Sequence, residues 1–272
     1  MSKCIALASG KGGVGKSVIT ANLAAALALN GSRVVVVDAD IGLRSQDALL
    51  SLENRVVYDL VDLAKGECTL DQALLACESV PSLHLLPAAQ FDRAKALRPD
   101  RFSDILHTLR ARYDFVFVDC PAGLERGLRN VLNAGVDETV LVVTPDDIAL
   151  RSAERTAQVM DAKKAARPLL VVNRLDPVLV RSGEMMSAQT LAQVLDLQLL
   201  GVIPEDPVVY RSLLQHRLLV SCDCDARNAI VRIAARLQGR TVRIPAFGVS
   251  RSRLFRHLFF RTVKEVPPID NL

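Results

Sequence analysis

Short apolar runs recur along the chain, separated by longer segments in which apolar residues follow a helical spacing. Seven runs predict buried β-strands, at residues 4–9, 33–40, 83–88, 114–120, 139–144, 168–173 and 199–204. Five intervening segments predict helices, at residues 16–29, 70–76, 101–110, 150–163 and 187–195. Strands that alternate with helices predict an α/β fold with a mostly parallel twisted sheet and helices on both faces.

The same pattern predicts how the chain is divided. A chain of 272 residues with 50% hydrophobic content can bury one large core, which we expect in a single domain at residues 1–238. We expect a linker at residues 239–249, an amphipathic helix at 250–261 and a disordered end at 262–272. The apolar runs are too short to span a bilayer, and the N-terminus lacks the apolar segment of a signal peptide. These features predict a cytoplasmic protein whose membrane contact is peripheral.

Charge is distributed unevenly between the predicted domain and the tail. From Gly239 to Leu272, seven Lys and Arg face two acidic residues, a net charge of +5. The whole chain carries +4, which leaves −1 on residues 1–238. A nearly neutral body disfavours binding to nucleic acid, so no specific nucleic acid is expected, whereas the basic tail predicts an acidic partner.

The first predicted strand ends in the sequence SGKGGVGKS, residues 9–17. It fits the phosphate-loop pattern G-x-x-x-x-G-K-[ST] from Gly10 to Ser17, and a predicted strand and helix flank it as that motif requires. Glycines let successive backbone N–H groups face one anion, and the following helix adds its positive end. Lys16 is predicted to bridge the β- and γ-phosphates, and the Ser17 hydroxyl to coordinate Mg²⁺. The residues predicted to hold ATP here are Gly10, Lys11, Gly12, Gly13, Val14, Gly15, Lys16, Ser17 and Val18.

Three aspartates stand where predicted strands end. Asp38 and Asp40 close the second strand and, two residues apart, point to the same face, while Asp119 closes the strand DFVFVD. Carboxylates beside a phosphate loop are suited to Mg²⁺ and to an attacking water. With Ser17, these three aspartates form the predicted metal site.

Two lysines in the segment KGGVGKS make the loop unusual, and it resembles the deviant phosphate loop of the MinD/ParA family of ATPases. The resemblance implies that Lys11 reaches across a dimer interface to the nucleotide of the other subunit. It also implies that Asp40 positions or activates the water, and that residues 121–123 form a second switch segment. Lys11, Lys16 and Asp40 are therefore the expected catalytic residues.

The adenine site is predicted from two further strand ends. Asn173 and Arg174 follow one strand, and the segment Pro204, Glu205 and Asp206 follows the next. An amide can both donate to and accept from the edge of a base. In the MinD/ParA family the two corresponding segments flank adenine, which implies the same role for these five residues.

Residues 38–74, 119–127 and 199–215 resemble the division-site members of that family more than its partition members. This resemblance implies an ATP-dependent homodimer, a division inhibitor similar to MinC, and an ATPase activator similar to MinE. The alternatives are a cargo- or chromosome-partition ATPase and a flagellar-number regulator.

The tail sequence SRSRLFRHLFFRT predicts a short interfacial helix. At about 100° per residue, four apolar residues fall on one face and basic residues flank them. Such a helix suits the anionic surface of the inner membrane, and the family resemblance extends to it. The chain departs from the family pattern after residue 261, where two prolines follow at 267 and 268. The residues predicted to contact membrane are Arg253, Leu254, Phe255, Arg256, Leu258, Phe259 and Phe260. The alternative is that this apolar face packs on the body or on a partner.

Overall fold

A computed structural model describes residues 2–91, 97–123, 126–162 and 166–245. The predicted membrane helix at residues 250–261, the end at 262–272 and residues 246–249 of the predicted linker lie outside the described residues. Among the residues that are described, no helix is both long and apolar enough to cross a membrane.

The strands form one sheet that confirms the predicted fold class. Its strands, in chain order, are β1 Lys3–Ala8, β2 Val34–Asp38, β3 Leu75–Ala76, β4 Leu83–Leu86, β5 Phe115–Asp119, β6 Glu138–Val143, β7 Leu169–Leu175 and β8 Gln198–Pro204. Their spatial order is β3-β4-β2-β5-β1-β6-β7-β8. All neighbours are parallel except β3 and β4, which pair antiparallel at one edge.

Helices cover both faces of this sheet. They are α1 Lys16–Leu29, α2 Gln46–Leu49, α3 Leu60–Lys65, α4 Leu70–Ala73, α5 Pro99–Arg112, α6 Arg126–Asn133, α7 Asp147–Ala162, α8 Pro177–Ser182, α9 Ala188–Leu195, α10 Pro207–Leu214 and α11 Asp225–Leu237. Among the described residues, short 3₁₀ turns lie at Glu53–Arg55 and Leu219–Ser221.

Alternating side chains of each strand divide the core into two layers. Val34 and Val36 of β2 belong to the layer that includes residues of α1 and α11, whereas Val35 and Val37 belong to the layer that includes residues of α5 and α9. Because both faces are covered, the strands consist of continuous apolar residues without an alternating polar set. This arrangement explains why the sequence contains short apolar runs at these positions.

The predicted strands are confirmed, and one predicted helix needs correction. The helix expected at residues 70–76 ends at Ala73, and the next residues form strand β3, Leu75–Ala76. Leu74 leaves the helix with an extended backbone, and the following two residues pair with β4. Tertiary pairing with the sheet edge therefore overrides the local helical spacing.

The strand register places the predicted site residues together at the carboxyl ends of the central strands. β2 and β5 are neighbours, and Asp38 is the register partner of Asp119. β5 also pairs with β1, which leads into the phosphate loop. The carboxyl ends of these strands therefore bring both aspartates to the start of α1.

Candidate functional site

The loop between β1 and α1 is held close to its surroundings at two glycines. Gly15 is the N-cap of α1 and has a φ of 90°, a backbone conformation that favours glycine. A Cβ at this position would lie 2.5 Å from the Asn173 side-chain nitrogen. A Cβ at Gly10 would lie 2.3 Å from the backbone oxygen of Ser152 in α7. Side chains at either position would thus displace the loop.

Lys16, the first residue of α1, forms a buried ion pair with Asp119. Its Nζ lies 2.6 Å from Asp119 Oδ1, and the two side chains are 6% and 0% exposed. Burial by itself lowers the pKa of Lys16, but the charge of Asp119 and the hydrogen bond to it outweigh burial, so the pKa is raised. Lys16 is therefore a cation at neutral pH, as phosphate binding requires.

Two further side chains complete the surroundings of Asp119. Thr20 Oγ1 donates to Asp119 Oδ1 at 3.1 Å, and Gln46 Nε2 donates to Oδ2 at 2.6 Å. Sequence reasoning missed both residues. Thr20 stands one turn after Lys16 in α1, a spacing that places both side chains on one helix face and could have identified it. Gln46 begins the short helix α2 and has no comparable signal.

Asp38 is fully buried and organises the segment that follows β2. Its carboxylate accepts hydrogen bonds from the backbone N–H groups of Asp40, Ser45 and Gln46, each at 3.0 Å. Burial, reinforced by the negative charge of Asp119, raises the pKa of Asp38 to about 7, although the hydrogen bonds from Gln46 and Asp40 and the charge of Lys16 oppose the shift. A positive charge close to Asp38 and Asp119 therefore stabilises these two adjacent buried carboxylates.

Asp40 is half-buried at the same end of the sheet. Burial raises the pKa of its carboxyl group, while Lys16 lowers it and Asp119 raises it further. The predicted metal-site residues Ser17, Asp38, Asp40 and Asp119 therefore gather around Lys16. Lys16 Nζ also lies 3.3 Å from Ser17 Oγ.

Lys11 lies on the exposed side of the loop. Its Nζ is 3.6 Å from Asp146 Oδ1, and the two side chains are 42% and 45% exposed. The pKa of Asp146 is lowered because hydrogen bonds from Thr144 and Ala149 and the charge of Lys11 outweigh its burial. An exposed ion pair of this kind is weak, so Lys11 can exchange Asp146 for another anion at little cost.

The predicted adenine residues line a cavity of about 280 Å³ beside the loop, together with Gly15 and Val18. Asn173 Nδ2 donates to the backbone oxygen of Val14 at 2.7 Å, so this amide also supports the loop. Arg174 is exposed and has a φ of 56°. The members of the predicted set in the cavity wall are Asn173, Arg174, Pro204, Glu205 and Asp206.

Asp206 connects this cavity to two helices. Its Oδ1 accepts from Val208 N at 3.0 Å and caps α10, while Oδ2 accepts from Ala226 N at 3.2 Å in the first turn of α11. Asp206 therefore supports the cavity wall, and one of its oxygens holds the helix that precedes the tail.

The side chains at the loop fit a magnesium–nucleotide complex. Within the described ranges, no group of three or more His, Cys, Asp or Glu side chains forms a metal-binding cluster. A phosphate-loop magnesium ion takes much of its coordination from phosphate and water, so one hydroxyl with nearby carboxylates is sufficient. A buried carboxylate with a raised pKa beside a second carboxylate is stabilised by such a cation.

Known proteins resemble this chain over nearly its full length. The model of the CobQ/CobB/MinD/ParA nucleotide binding domain matches residues 5–220. The septum site-determining protein MinD of Helicobacter pylori is 38% identical over 274 residues, which covers 98% of this chain and 99% of the relative. MinD of Bacillus subtilis is 38% identical over 246 residues, which covers 89% and 91%.

Solved structures agree with the sequence relatives. A chain of the MinC:MinD cell division protein complex of Aquifex aeolicus has a TM-score of 0.84 and 32% identity, and the match covers 91% of this chain and all of that one. MinD of Pyrococcus horikoshii, complexed with Mg-ADP, has a TM-score of 0.77 and 29% identity, with 87% and 96% covered.

Fold, loop and relatives together define the class: the chain is a P-loop ATPase that uses ATP and Mg²⁺. It belongs to the MinD family of septum site-determining ATPases within the CobQ/CobB/MinD/ParA group. It is a division-site positioning ATPase. This membership confirms the resemblance that the loop and the three longer segments predicted.

Proposed function

We propose that this chain dimerises on ATP, binds the cytoplasmic face of the inner membrane through residues 250–261, and there recruits a division inhibitor similar to MinC. Hydrolysis, stimulated by an activator similar to MinE, reverses both steps. The observation that carries the proposal is that Lys16, Asp119 and Asp38 lie together at the phosphate loop, in a chain whose tail sequence is basic and has apolar residues at helical spacing. The MinC:MinD complex of Aquifex aeolicus supports the partner.

Nucleotide binding gives Lys16 a second anionic partner. Lys16 pairs with Asp119, and a phosphate in the loop would compete for the same ammonium group. Ser17 would hold Mg²⁺ directly, with Asp38, Asp40 and Asp119 around it, and the ion would neutralise charge on the β- and γ-phosphates. The adenine would bind between Asn173 and the segment 204–206, in the cavity beside the loop.

Lys11 is the residue through which dimerisation would complete the site. Its contact with Asp146 is long and exposed, so the lysine is available to the nucleotide of a second subunit. A positive charge that arrives only in the dimer would stabilise the charge developing in the transition state. Hydrolysis by the single chain should therefore be slow.

The tail would convert dimerisation into membrane binding. Each arginine near an anionic leaflet contributes about 1 kcal/mol, and each partly buried Leu or Phe about 1.5–3 kcal/mol before the cost of ordering the helix. The cost of forming the helix offsets much of this gain, so one tail should bind weakly. Two tails on one dimer gain a factor of about 10²–10⁴ in avidity. ATP would thereby control membrane occupancy.

Sedimentation with anionic liposomes tests the proposal. We expect the protein to pellet with ATP and to stay in the supernatant with ADP or without nucleotide. Phe255→Glu should abolish pelleting, whereas Val263→Glu, which adds the same charge beyond the predicted helix, should retain it. Pelleting that is indifferent to nucleotide, or absent, would contradict the membrane switch and favour a cargo-positioning ATPase.

Phosphate release separates an ATPase cycle from a scaffold that only binds ATP. With lipid present we expect wild-type protein to release phosphate slowly and Asp40→Ala to release essentially none. Asp161→Ala, an exposed carboxylate on α7, should behave as wild type. Equal release from wild type and Asp40→Ala would remove Asp40 from the reaction.

A further inference from the structure

Gln46 lies at the centre of the contacts among the loop, β2 and β5. It is the first residue of α2, and its side chain is fully buried. Its backbone N–H donates to Asp38, while its side-chain nitrogen lies 2.6 Å from Asp119 Oδ2 and 3.1 Å from the backbone oxygen of Ser17. One side chain thus contacts two of the predicted metal-site residues, Ser17 and Asp119.

The orientation of the Gln46 amide follows from its partners. A carboxylate and a backbone carbonyl can only accept hydrogen bonds, so the NH₂ end must face Asp119 and Ser17. The carbonyl oxygen, Oε1, is the remaining end. It is buried and receives no hydrogen bond from any described residue.

A buried acceptor without a donor is unfavourable and rare in folded proteins. The missing donor must lie near Ser17 and Asp119, because Oε1 and Nε2 are attached to the same carbon. Water bound to a metal ion acts there as a donor only, since its lone pair faces the ion. Such a water could donate the hydrogen bond that the unpaired Oε1 lacks.

We propose that Gln46 is a positioning residue for Mg²⁺, which holds Ser17 and Asp119 through its NH₂ group and accepts a hydrogen bond from a metal-bound water at Oε1. This inference rests on the magnesium–nucleotide site described above. It gives α2 a direct contact with the ion's water shell, so metal binding stabilises the segment from Asp40 to Gln46.

The test compares ADP affinity with Mg²⁺ and with EDTA, by calorimetry, for wild type and Gln46→Met. The methionine keeps length and bulk and removes both the NH₂ donor and the carbonyl acceptor of the amide. Loss of such an outer contact lowers metal affinity by about 10–100-fold, so we expect the enhancement of ADP binding by Mg²⁺ to fall by about tenfold. ADP affinity in EDTA is measured for each protein, so that any effect of the lost Ser17 and Asp119 contacts on the loop itself cancels in the ratio of the two affinities. Gln193→Met, an exposed glutamine on α9, is the matched control and should retain the enhancement.

Two outcomes distinguish a failure of the role of Gln46 from a failure of the magnesium site on which it rests. A normal Mg²⁺ enhancement in Gln46→Met would overturn the role of Gln46 alone, and an ordinary water would then satisfy Oε1. If wild type itself shows no enhancement, the magnesium site and the inference both fail.

A measurement on wild-type protein avoids dependence on the variant's folding. The ¹³C resonance of the Gln46 side-chain carbonyl should shift when Mg²⁺ is added to the ADP complex and should stay unchanged when ADP is added in EDTA. A resonance that ignores Mg²⁺ would contradict the contact, whatever the stability of Gln46→Met.

Discussion

Lys16 Nζ lies 2.6 Å from Asp119 Oδ1, so the first residue of α1 is joined to the last residue of β5 inside the protein. The lysine expected to bind phosphate and the carboxylate expected to support magnesium therefore form one ion pair. Thr20 and Gln46 donate to the same carboxylate and would still hold it if Lys16 turned to a phosphate.

A double-mutant cycle on Lys16 and Asp119 should reveal strong coupling in the nucleotide-free protein. Removing one partner of a buried pair leaves an uncompensated charge, so Lys16→Met and Asp119→Asn should each lower the free energy of unfolding by about 3–5 kcal/mol. The double variant should lose less than the sum, with a coupling of about 0.5–3 kcal/mol measured by urea unfolding.

The Lys3–Glu138 pair provides the control for that cycle. Its N–O distance is 3.1 Å, but its side chains are 39% and 32% exposed. Water screens such a pair, so its own cycle should give about 0–1 kcal/mol. Additive effects at Lys16 and Asp119 would contradict a functional pairing of the two groups.

Gly15→Ala should weaken ADP binding, while Gly31→Ala should not. Both glycines have a φ of 90°, so both variants carry similar backbone strain, of about 1–2 kcal/mol. Only the Cβ at residue 15 meets another group, the Asn173 amide at 2.5 Å, whereas nothing lies within 4 Å at residue 31. We expect about a tenfold or greater loss of ADP affinity for Gly15→Ala by calorimetry, because the displaced loop loses phosphate contacts. Equal affinities for the two variants would show that the Asn173 contact does not shape the loop.

The sequence predicted most of the sheet because its strands are buried on both faces. A strand such as β2, with Val34 to Val37 all buried, leaves a continuous apolar run that few other structures produce. Strand β3 was not predicted because two residues at a sheet edge carry no periodic signal. Its existence depends on pairing with β4, which only the folded chain supplies.

The site residues that could be predicted also differ from the others in what fixes their positions. Asp38, Asp119 and Lys16 could be predicted, since a loop motif and strand ends have fixed positions in a parallel sheet. Gln46 could not, because α2 is placed by the hydrogen bonds of its backbone to Asp38 and not by apolar periodicity. Asn173 was predicted as a base contact, and its hydrogen bond to the loop at Val14 became visible only in three dimensions.

Asp206→Ala and Asp176→Ala should separate capping from support of the nucleotide cavity. Each aspartate caps a short helix that begins with proline, so each variant should lose about 0.5–2 kcal/mol of stability. Asp206 also accepts from Ala226 in α11 and lines the cavity. Asp206→Ala should therefore weaken ADP binding measurably, and Asp176→Ala should leave it unchanged. A loss of ADP affinity in both variants would assign the effect to general destabilisation.

The stability of the nucleotide-free protein in EDTA should fall as pH rises from about 5 to 7, because of Asp38. Its pKa is about 7 in the folded protein against 3.8 for the ordinary group. Between these values the folded state keeps a proton that the unfolded state releases, so raising the pH favours unfolding. The full effect of one proton is about 1.4 kcal/mol per pH unit.

Comparison with Asp38→Asn isolates this contribution in urea-unfolding curves measured across that range. His84 affects the pH dependence of stability in the opposite direction. Burial lowers its pKa, so its contribution to stability is lost as pH falls. That contribution is common to wild type and Asp38→Asn and cancels in their difference. Asp38→Asn should be less stable overall, because an amide cannot accept from all three backbone N–H groups, but it should lack the decline with rising pH. Asp146→Asn, at a carboxyl group whose pKa is lowered, should retain the decline. If the decline persists in Asp38→Asn, the bound proton lies on another group. A role for Asp38 and Asp119 together in favouring a bound cation would then lose its main support.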